Sequence, residues 1–373
     1  MGFEGRTMRA AVMYGVNQPL VVEEVEIAEP GPGEVMVKLA NSSVCHSDLH
    51  ALDGAWPPPV PIVLGHEGAG TIEAVGPGVT RHQVGDPVVL SWTPGCERCR
   101  FCLVGRPNLC EKLAETVHAG VMYDGTTRMR KDGRPIYTYM GTGSFGEFTV
   151  VPETGAVAVP SGVPTDVAAV VGCAVTTGFG AATKTVHIAP GDTAVVIGLG
   201  GVGLSVLFGC AAQSAGKVIA VDVHDDKLAM AKRAGATHVI NARETDPVAA
   251  IWELSGGRGA DFVFEAIGLK ATIEQALGML GTRGTAVLVG MAPEGVRFEA
   301  DPTLVAMMEL RIVGSNYGSA NPPIDFPRIL GLAQADQLDL ASLITSRVPL
   351  DDINDAFDAM KRGEGIRTVI DFT

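Results

Sequence analysis

Short apolar runs separated by glycine and proline turns occupy the chain from Met8 to about Val171. This region contains the runs RAAVMY, EVMVKLA, GAGTIEAVG, DPVVLSW and GEFTVV, and it shows little helical periodicity. Runs of this length, bounded by turn residues, are typical of β-strands. The sequence therefore predicts a first domain dominated by β-structure.

Near Asp192 the pattern changes to apolar strands that alternate with helical stretches. The strands are TAVVIG, KVIAVD, HVINA, DFVFEAIG, TAVLVG and LRIVGS. Such alternation predicts a doubly wound parallel sheet with helices on both faces. Thr193–Gly216 has no charged residue and is long enough for a membrane span, but its glycines divide it into strand, turn and helix.

An amphipathic tail follows Tyr317, contains FPRILGLAQ and DINDAFDAMKRG, and ends in the strand TVIDF. We expect this tail to pack on the first domain. The predicted fold class is α/β. Its β-rich domain comprises residues 1–174 and 318–373, and its domain of alternating strands and helices comprises residues 175–317.

The charge balance narrows the range of partners. The chain has 373 residues, a formal net charge of −14 and a pI near 5.0, and no cluster of lysine and arginine interrupts this balance. An acidic surface repels phosphate backbones and anionic lipid, so we expect no nucleic acid and no membrane as partner. The start, MGFEGRTMRAAVMYG, lacks the layout of a secretion signal, so we expect a cytoplasmic protein.

Four cysteines recur at short, regular spacing within GCERCRFCLVGRPNLC. Four thiolates on one short loop can close a tetrahedral shell around zinc, which indicates a structural site without an open position. Unrelated core cysteines seldom show this spacing, although an iron–sulfur cluster uses the same ligand type. The predicted ligands are Cys96, Cys99, Cys102 and Cys110.

A second possible metal site is dispersed along the chain. It consists of Cys45, His66 and Cys173. Two thiolates and one imidazole leave the fourth position of zinc open for water or substrate, as a catalytic zinc requires. Each residue alone is more typical of a core position, and their joint occurrence favours the metal site. The seventh cysteine, Cys210, is predicted to be a core residue.

A glycine motif follows the strand AVVI and opens a helix, and Asp222 ends the next strand. Glycines let the backbone approach a pyrophosphate, the helix N-terminus favours its charge, and an acidic residue at this distance accepts from ribose hydroxyls. The motif predicts dinucleotide binding. Its predicted contacts are Gly198, Gly200, Gly201, Val202, Gly203 and Asp222.

Together these motifs resemble those of the zinc-containing alcohol dehydrogenases in the medium-chain dehydrogenase/reductase family, from Met8 to the C-terminus. The resemblance implies a GroES-like catalytic domain and a Rossmann domain. It also implies two zinc ions per chain, one catalytic and one structural, and NAD. The implied reaction is the reversible conversion of a primary alcohol to an aldehyde. Asp48 and Glu67 resemble the acidic residues around the catalytic zinc.

The resemblance assigns roles to residues that otherwise read as ordinary turn or surface positions. It implies that Ser47 takes the proton of the alcohol and passes it through the nicotinamide ribose to His50. Many relatives have arginine where this chain has His46, and a mostly neutral histidine should hold the pyrophosphate less firmly. The other implied cofactor contacts are made by Thr177, Lys227 and Arg367.

Two departures from a close branch bear on the substrate. Glutathione-dependent formaldehyde dehydrogenases hold a charged thiol adduct with an acidic residue and an arginine, and the matching positions here are Trp56 and Ala114. By family position, Trp92, Tyr139 and Met140 also face the pocket. We therefore expect an aliphatic, allylic or aromatic primary alcohol. A thiol-dependent formaldehyde dehydrogenase is the alternative.

Three further alternatives are weaker. A zinc-free quinone reductase would not need Cys45, His66 and Cys173, and a polyol dehydrogenase typically has a carboxylate in place of Cys173. A redox-sensing or structural zinc protein would not need the relay. The segment Glu111–Met140 is long, as in dimeric relatives, so we expect a homodimer.

Overall fold

A computed structural model of the chain describes residues 5–373. Residues 1–4, on which the cytoplasmic expectation partly rests, lie outside the described residues. The chain forms two compact units. The first comprises the residues up to Cys173 together with Asn321–Thr373, and the second comprises Ala174–Ala320.

Strands and helices are numbered in chain order over the described residues. The strands are β1 Gly5–Met13, β2 Val21–Ala28, β3 Glu34–Ser43, β4 Ile62–Val63, β5 Glu67–Val75, β6 Pro87–Leu90, β7 Met129–Lys131, β8 Arg134–Thr138, β9 Phe148–Pro152, β10 Ala156–Ala158, β11 Thr193–Ile197, β12 Lys217–Asp222, β13 His238–Asn241, β14 Ala260–Glu265, β15 Leu280–Leu288, β16 Arg311–Gly314, β17 Ile344–Pro349 and β18 Arg367–Asp371. The helices are α1 His46–Leu52, α2 Arg100–Leu103, α3 Thr165–Val170, α4 Thr176–Gly180, α5 Gly201–Ala212, α6 Asp225–Arg233, α7 Pro247–Leu254, α8 Lys270–Gly278, α9 Pro302–Met307, α10 Pro322–Gln334 and α11 Ile353–Lys361.

The first unit combines a closed barrel with an open sheet. The barrel has the strand order β1-β2-β7-β8-β4, and the sheet has the order β10-β6-β5-β3-β18-β17, with β9 paired to β3. The tail returns to this unit, because β18 pairs antiparallel with β3. A buried cluster fills the barrel side, where Phe145 meets Phe357 edge to face at 6.1 Å. This arrangement places the end of β3 beside the start of β18.

The second unit is a parallel sheet of six strands in the order β13-β12-β11-β14-β15-β16. Strands β11 and β12 are almost wholly buried, as expected for a sheet covered on both faces. The chain reverses its direction of winding between β11 and β14. In such folds, ligands bind at the carboxyl ends of the strands at this point.

Within residues 5–373, one continuous helical segment is long and apolar enough to cross a membrane. Thr165–Thr185 has a mean hydropathy of 1.4, and 78% of its most apolar window is buried within the protein. Its apolar side chains are therefore used in core packing. The uncharged stretch Thr193–Gly216 forms β11 and α5 with a glycine turn between them, as predicted.

Candidate active site

Three sulfur and nitrogen ligands meet in the first unit. Cys45 directly precedes α1, His66 precedes β5, and Cys173 lies in the helical turn Val171–Val175. The donor atoms of these residues, with a carboxylate oxygen of Glu67, all lie within 4.8 Å of one another. All four side chains are buried. The fold thus joins residues that are far apart in the sequence.

Asp48 orients two of these ligands. Its Oδ2 accepts the backbone N–H of Cys45 at 3.1 Å, and its Oδ1 accepts the N–H of Gly65 at 3.0 Å. The same Oδ1 lies 3.0 Å from His66 Nδ1. Gly65 has a φ of 88°, and a Cβ there would lie 2.6 Å from Ser144 Oγ, so this turn requires glycine. Asp48 therefore directs the other imidazole nitrogen into the cluster.

The donor set fits a zinc ion. His66 Nε2 is buried and has no hydrogen-bond partner among the described groups, although buried polar atoms are normally paired. Burial opposes protonation of His66, yet Asp48 and Cys45 raise its pKa well above the usual value. The hydrogen bond from Cys173 lowers the pKa of Cys45, and the same bond raises that of Cys173. The surroundings of these side chains thus favour a positive charge in the cluster. A zinc ion held tetrahedrally by thiolates and imidazole would supply that charge.

Glu67 and Arg367 form a buried pair beside these ligands. Arg367 Nη2 lies 3.5 Å from Glu67 Oε1 and 3.7 Å from Cys45 Sγ. Burial raises the pKa of Glu67 to about 8, against the opposing effect of Arg367. Only 4% of Arg367 is exposed. The predicted contact between Arg367 and a pyrophosphate stays a prediction, because its contacts in the first unit are with Cys45 and Glu67.

The second cysteine cluster lies on the loop around α2. Its four sulfur atoms lie within 4.8 Å of one another, with Cys99 Sγ 3.9 Å from Cys110 Sγ. Backbone N–H groups of Cys102 and Glu111 lower the pKa of Cys99 to about 6. Four sulfur donors complete a tetrahedral shell, so this cluster fits a structural zinc without an open position. The clustered residues are Cys96, Cys99, Cys102 and Cys110.

The glycine motif of the second unit joins β11 to α5. Gly198 has a φ of 89°, and a Cβ at Gly203 would lie 1.8 Å from the carbonyl oxygen of Gly198. These two glycines are required by the turn itself. A Cβ at Gly200 would meet nothing within 4 Å, so its surroundings are open. An open backbone at the start of α5 suits the close approach of a phosphate.

Asp222 ends β12 next to this turn. Its Oδ2 accepts the N–H of Leu199 at 2.7 Å, and its Oδ1 accepts those of Val223 at 2.7 Å and His224 at 3.0 Å. Three backbone donors hold the carboxylate beside the glycine loop, as the predicted role at a ribose requires.

Comparison with known proteins gives a consistent assignment for both units. The alcohol dehydrogenase GroES-like domain family matches residues 31–161, and the zinc-binding dehydrogenase family matches residues 201–335. A class-3 alcohol dehydrogenase of Drosophila melanogaster is 37% identical over 372 residues, which cover 98% of each chain. The chain belongs to the zinc-containing alcohol dehydrogenases.

Solved structures of similar proteins agree with this membership. Benzyl alcohol dehydrogenase from Acinetobacter calcoaceticus has a TM-score of 0.94 at 32% identity, over 99% of this chain and 100% of that one. A zinc-binding-domain alcohol dehydrogenase protein from Burkholderia ambifaria has a TM-score of 0.95 at 32% identity, with the same coverage. Two further structures, with TM-scores of 0.80, hold NADP and NAD.

These findings confirm several predictions. The fold is α/β, with a GroES-like domain and a Rossmann domain. The chain belongs to the oxidoreductases of the zinc alcohol dehydrogenase family, its two cysteine-containing clusters match the two predicted zinc sites, and structures similar to it hold NADP or NAD.

In this alcohol dehydrogenase, the predicted relay residues lie on α1. Ser47 Oγ is 3.9 Å from Cys45 Sγ, which places the hydroxyl beside the ligand cluster. His50 lies one turn further along, and His46 is exposed at the start of the helix. The transfer of a proton from Ser47 to His50 stays a prediction.

The predicted pocket residues occupy several positions in the first unit. Tyr139 donates its hydroxyl to the carbonyl of Ser47 at 2.8 Å, and its ring lies edge-on to His66 at 6.0 Å. Trp92 is half-buried beyond the end of β6, and Met140 has a φ of 48° next to Tyr139. Tyr139 is thus an aromatic neighbour of a zinc ligand.

The predicted cofactor contacts in the second unit lie on separate helices. Thr177 is half-buried on α4, Val202 is the second residue of α5, and Lys227 is half-buried on α6. Their contacts with the cofactor stay predictions.

Glu265, a fully buried carboxylate at the end of β14, is not among the residues predicted from the sequence. Its Oε1 accepts the N–H of Ile267 at 3.0 Å and of Gly268 at 2.9 Å, and the hydroxyl of Thr272 at 2.7 Å. The carboxylate therefore shapes the loop opposite the glycine turn at the switch point. The only signal in the sequence was a charged residue ending the apolar run DFVFE.

Proposed function

We propose that the chain oxidises uncharged primary alcohols, including aromatic ones, to aldehydes with NAD. The observation that carries this proposal is that the side chains at positions 56 and 114 are both uncharged. Trp56 is apolar, and Ala114 is small and exposed. Neither side chain can pair with the charges of a thiol adduct, and burial of a carboxylate without a charged partner costs on the order of several kcal/mol.

Aromatic side chains near the zinc ligands support an apolar substrate. The Tyr139 ring is held by its hydroxyl bond to the carbonyl of Ser47 and stands 6.0 Å from the His66 ring. A fixed ring offers apolar contact at low entropy cost. Burial of each methylene of a substrate contributes about 0.8 kcal/mol, so longer alcohols should bind better until the pocket is full.

The proposed roles of the protein groups follow from their positions. Zinc held by Cys45, His66 and Cys173 would act as a Lewis acid that makes the alcohol hydroxyl easier to deprotonate. Ser47 would receive that proton, and His50 would carry it towards water. Asp48 keeps the His66 ring in its orientation through the 3.0 Å contact. NAD bound at the glycine loop would supply the acceptor for the hydride of the alcohol carbon.

The preference for NAD rests on Asp222. Its carboxylate, held by three backbone donors, would accept from the ribose hydroxyls and repel a 2′-phosphate at the same place.

A thiol-dependent formaldehyde dehydrogenase is the second candidate function. Its support is the 37% identity with a class-3 alcohol dehydrogenase over nearly the whole chain. In this case the charged adduct would have to be held by groups other than residues 56 and 114.

We also propose that the protein is a cytoplasmic homodimer. In each chain, residues 1–174 and 318–373 would form the catalytic domain, and residues 175–317 would form the NAD-binding domain. The edge strand β16 supports a dimer, since among the described strands it pairs with β15 alone. Nearby Leu304, Met307 and Ile312 are exposed by 51%, 78% and 38%. Such an edge is a ready surface for a second copy. Sedimentation of the purified protein measures the oligomeric state, and a monomer would contradict the dimer.

A substrate series tests the proposed function. Catalytic efficiency, kcat/KM, is compared for ethanol, butanol, hexanol, cinnamyl alcohol and S-hydroxymethylglutathione in one buffer with saturating NAD. We expect kcat/KM to rise by up to a few-fold with each carbon added to the alcohol, because burial of one methylene contributes about 0.8 kcal/mol. An advantage of about tenfold or more for the glutathione adduct, equal to about 1.4 kcal/mol, would establish the second candidate instead. The variant Ala114→Arg should improve use of the adduct, with Ala119→Arg as its control.

A further inference from the structure

The turn after α1 brings together His50, Asp53 and Trp56, none of which is a zinc ligand. The backbone N–H of Trp56 donates to the carbonyl of His50 at 2.9 Å and closes the turn. Gly54 has a φ of 81°, and a Cβ there would lie 2.6 Å from Val16 Cγ1. The path of the chain therefore requires glycine and fixes Trp56 relative to His50.

The indole of Trp56 packs on the imidazole of His50. The ring centroids are 4.6 Å apart, and the ring planes are inclined by 56°. His50 Nδ1 is shielded from water and forms no hydrogen bond with the described groups. A shielded N–H needs an acceptor close by, because a buried polar group without a partner is destabilising.

Asp53 provides an acceptor next to this nitrogen. Its Oδ2 is 3.9 Å from His50 Nδ1, while its Oδ1 accepts the N–H of Ala55 at 2.9 Å. The first distance is longer than a direct hydrogen bond, so the carboxylate acts on this nitrogen through its charge. Asp53 is also the residue at the C-terminal cap of α1, so its backbone is held by the end of the helix.

We propose that Asp53 and Trp56 are positioning residues for His50. Asp53 keeps the proton of the neutral imidazole on Nδ1, and Trp56 keeps water away from that nitrogen. Nε2 then has a free lone pair, accepts a proton from the relay, and releases one proton to water to restore the neutral ring. The kinetic consequence rests on the proposed function, because it requires His50 in the relay. The position of the proton on the ring does not.

Nitrogen NMR of the zinc-loaded protein with ¹⁵N-labelled histidine tests the position of the proton. His50→Gln assigns the His50 signals. We expect Nδ1 to carry the proton of the neutral ring, and Asp53→Ala to move it to Nε2. The control Asp358→Ala removes another exposed carboxylate, 3.2 Å from Lys361, and should change nothing at His50. A proton on Nε2 in the wild type, or an unchanged ring in Asp53→Ala, would overturn the role of Asp53.

The same spectra test Trp56. Trp56→Leu should broaden the Nδ1–H proton signal, because water gains access and exchanges with it. Trp56→Phe keeps a ring in place and should preserve the signal. Trp252→Phe is the matched control, since the Trp252 indole donates to the carbonyl of Gly278 in the second unit at 2.9 Å. An equally sharp signal in Trp56→Leu would overturn the role of Trp56.

Kinetics test the consequence for turnover. Asp53→Ala should lower kcat for alcohol oxidation about tenfold, which is part of the roughly 10²–10⁴-fold that a positioned general base contributes, with smaller changes in KM. In a His50→Gln background the substitution should have no further effect. A full tenfold loss in that background would overturn the inference. Absence of alcohol oxidation in the wild type would refute the proposed function, while the NMR result would still decide the position of the proton.

Discussion

Asp48 Oδ1 lies 3.0 Å from His66 Nδ1, and both side chains are fully buried. The same carboxylate accepts the backbone N–H of Cys45. One residue therefore orients two proposed ligands of the catalytic zinc. Such supporting contacts fix the ring orientation and raise the basicity of the ligand.

Asp48→Asn should weaken zinc binding at this site by about 10–100-fold, because the amide loses the charge that supports His66. Competition with a chromophoric chelator measures the affinity of the site. Asp358→Asn, at an exposed position on α11, is the control and should bind zinc like the wild type. Unchanged affinity in Asp48→Asn would show that the contact with His66 does not support the metal.

Cys45→Ala should lower the zinc content from two ions per chain to one, because the two ligand sets share no residue. Turnover should fall by about a thousandfold or more, since a catalytic metal contributes several kcal/mol to the transition state. Metal analysis and steady-state NADH formation measure the two effects. Cys210→Ala removes a buried cysteine outside both clusters and serves as the control. Near-normal activity in Cys45→Ala would refute the assignment.

Cys99→Ala should destabilise the protein, since a closed zinc site contributes folding free energy. A loss of about 2 kcal/mol or more should lower Tm by roughly 5 °C or more. Calorimetry of the zinc-loaded protein, with metal analysis of the same sample, provides the measurement. If the second zinc were absent and Tm unchanged, the structural role of this cluster would be wrong.

Asp222→Gly should reduce the preference for NAD over NADP by about 10–100-fold, as expected for the loss of hydrogen bonds to a charged group worth about 1.5–3 kcal/mol. The ratio of kcat/KM values for the two cofactors measures this change. Asp246→Gly, at the start of α7 in the same unit, controls for general effects. A wild-type enzyme that prefers NADP would contradict the role proposed for Asp222.

Contiguous motifs were readable from the sequence because short chain segments restrict how far apart their residues can lie. Cys96 to Cys110 span one loop, so their spacing already implied a common ligand set. The glycine motif was equally local, since the strand, the turn and the helix follow one another directly. The alternation of strands and helices also determined the fold class of the second unit, because apolar residues recur at a different spacing in a strand than in a helix.

Other relationships depend on pairing between distant segments. Arg367 lies 322 residues from Cys45, and the two meet only because β18 pairs with the end of β3. The contact of Asp48 with His66, the carboxylate of Glu265 beneath its loop, and the packing of Trp56 on His50 likewise depend on side-chain directions. The sequence by itself determined the zinc ligands as candidates, the fold class and the glycine loop. Only the tertiary structure decided which buried charged side chains support the zinc ligands. The spacing of residues along the sequence determines neither the direction of a hydrogen bond nor the burial of a charge.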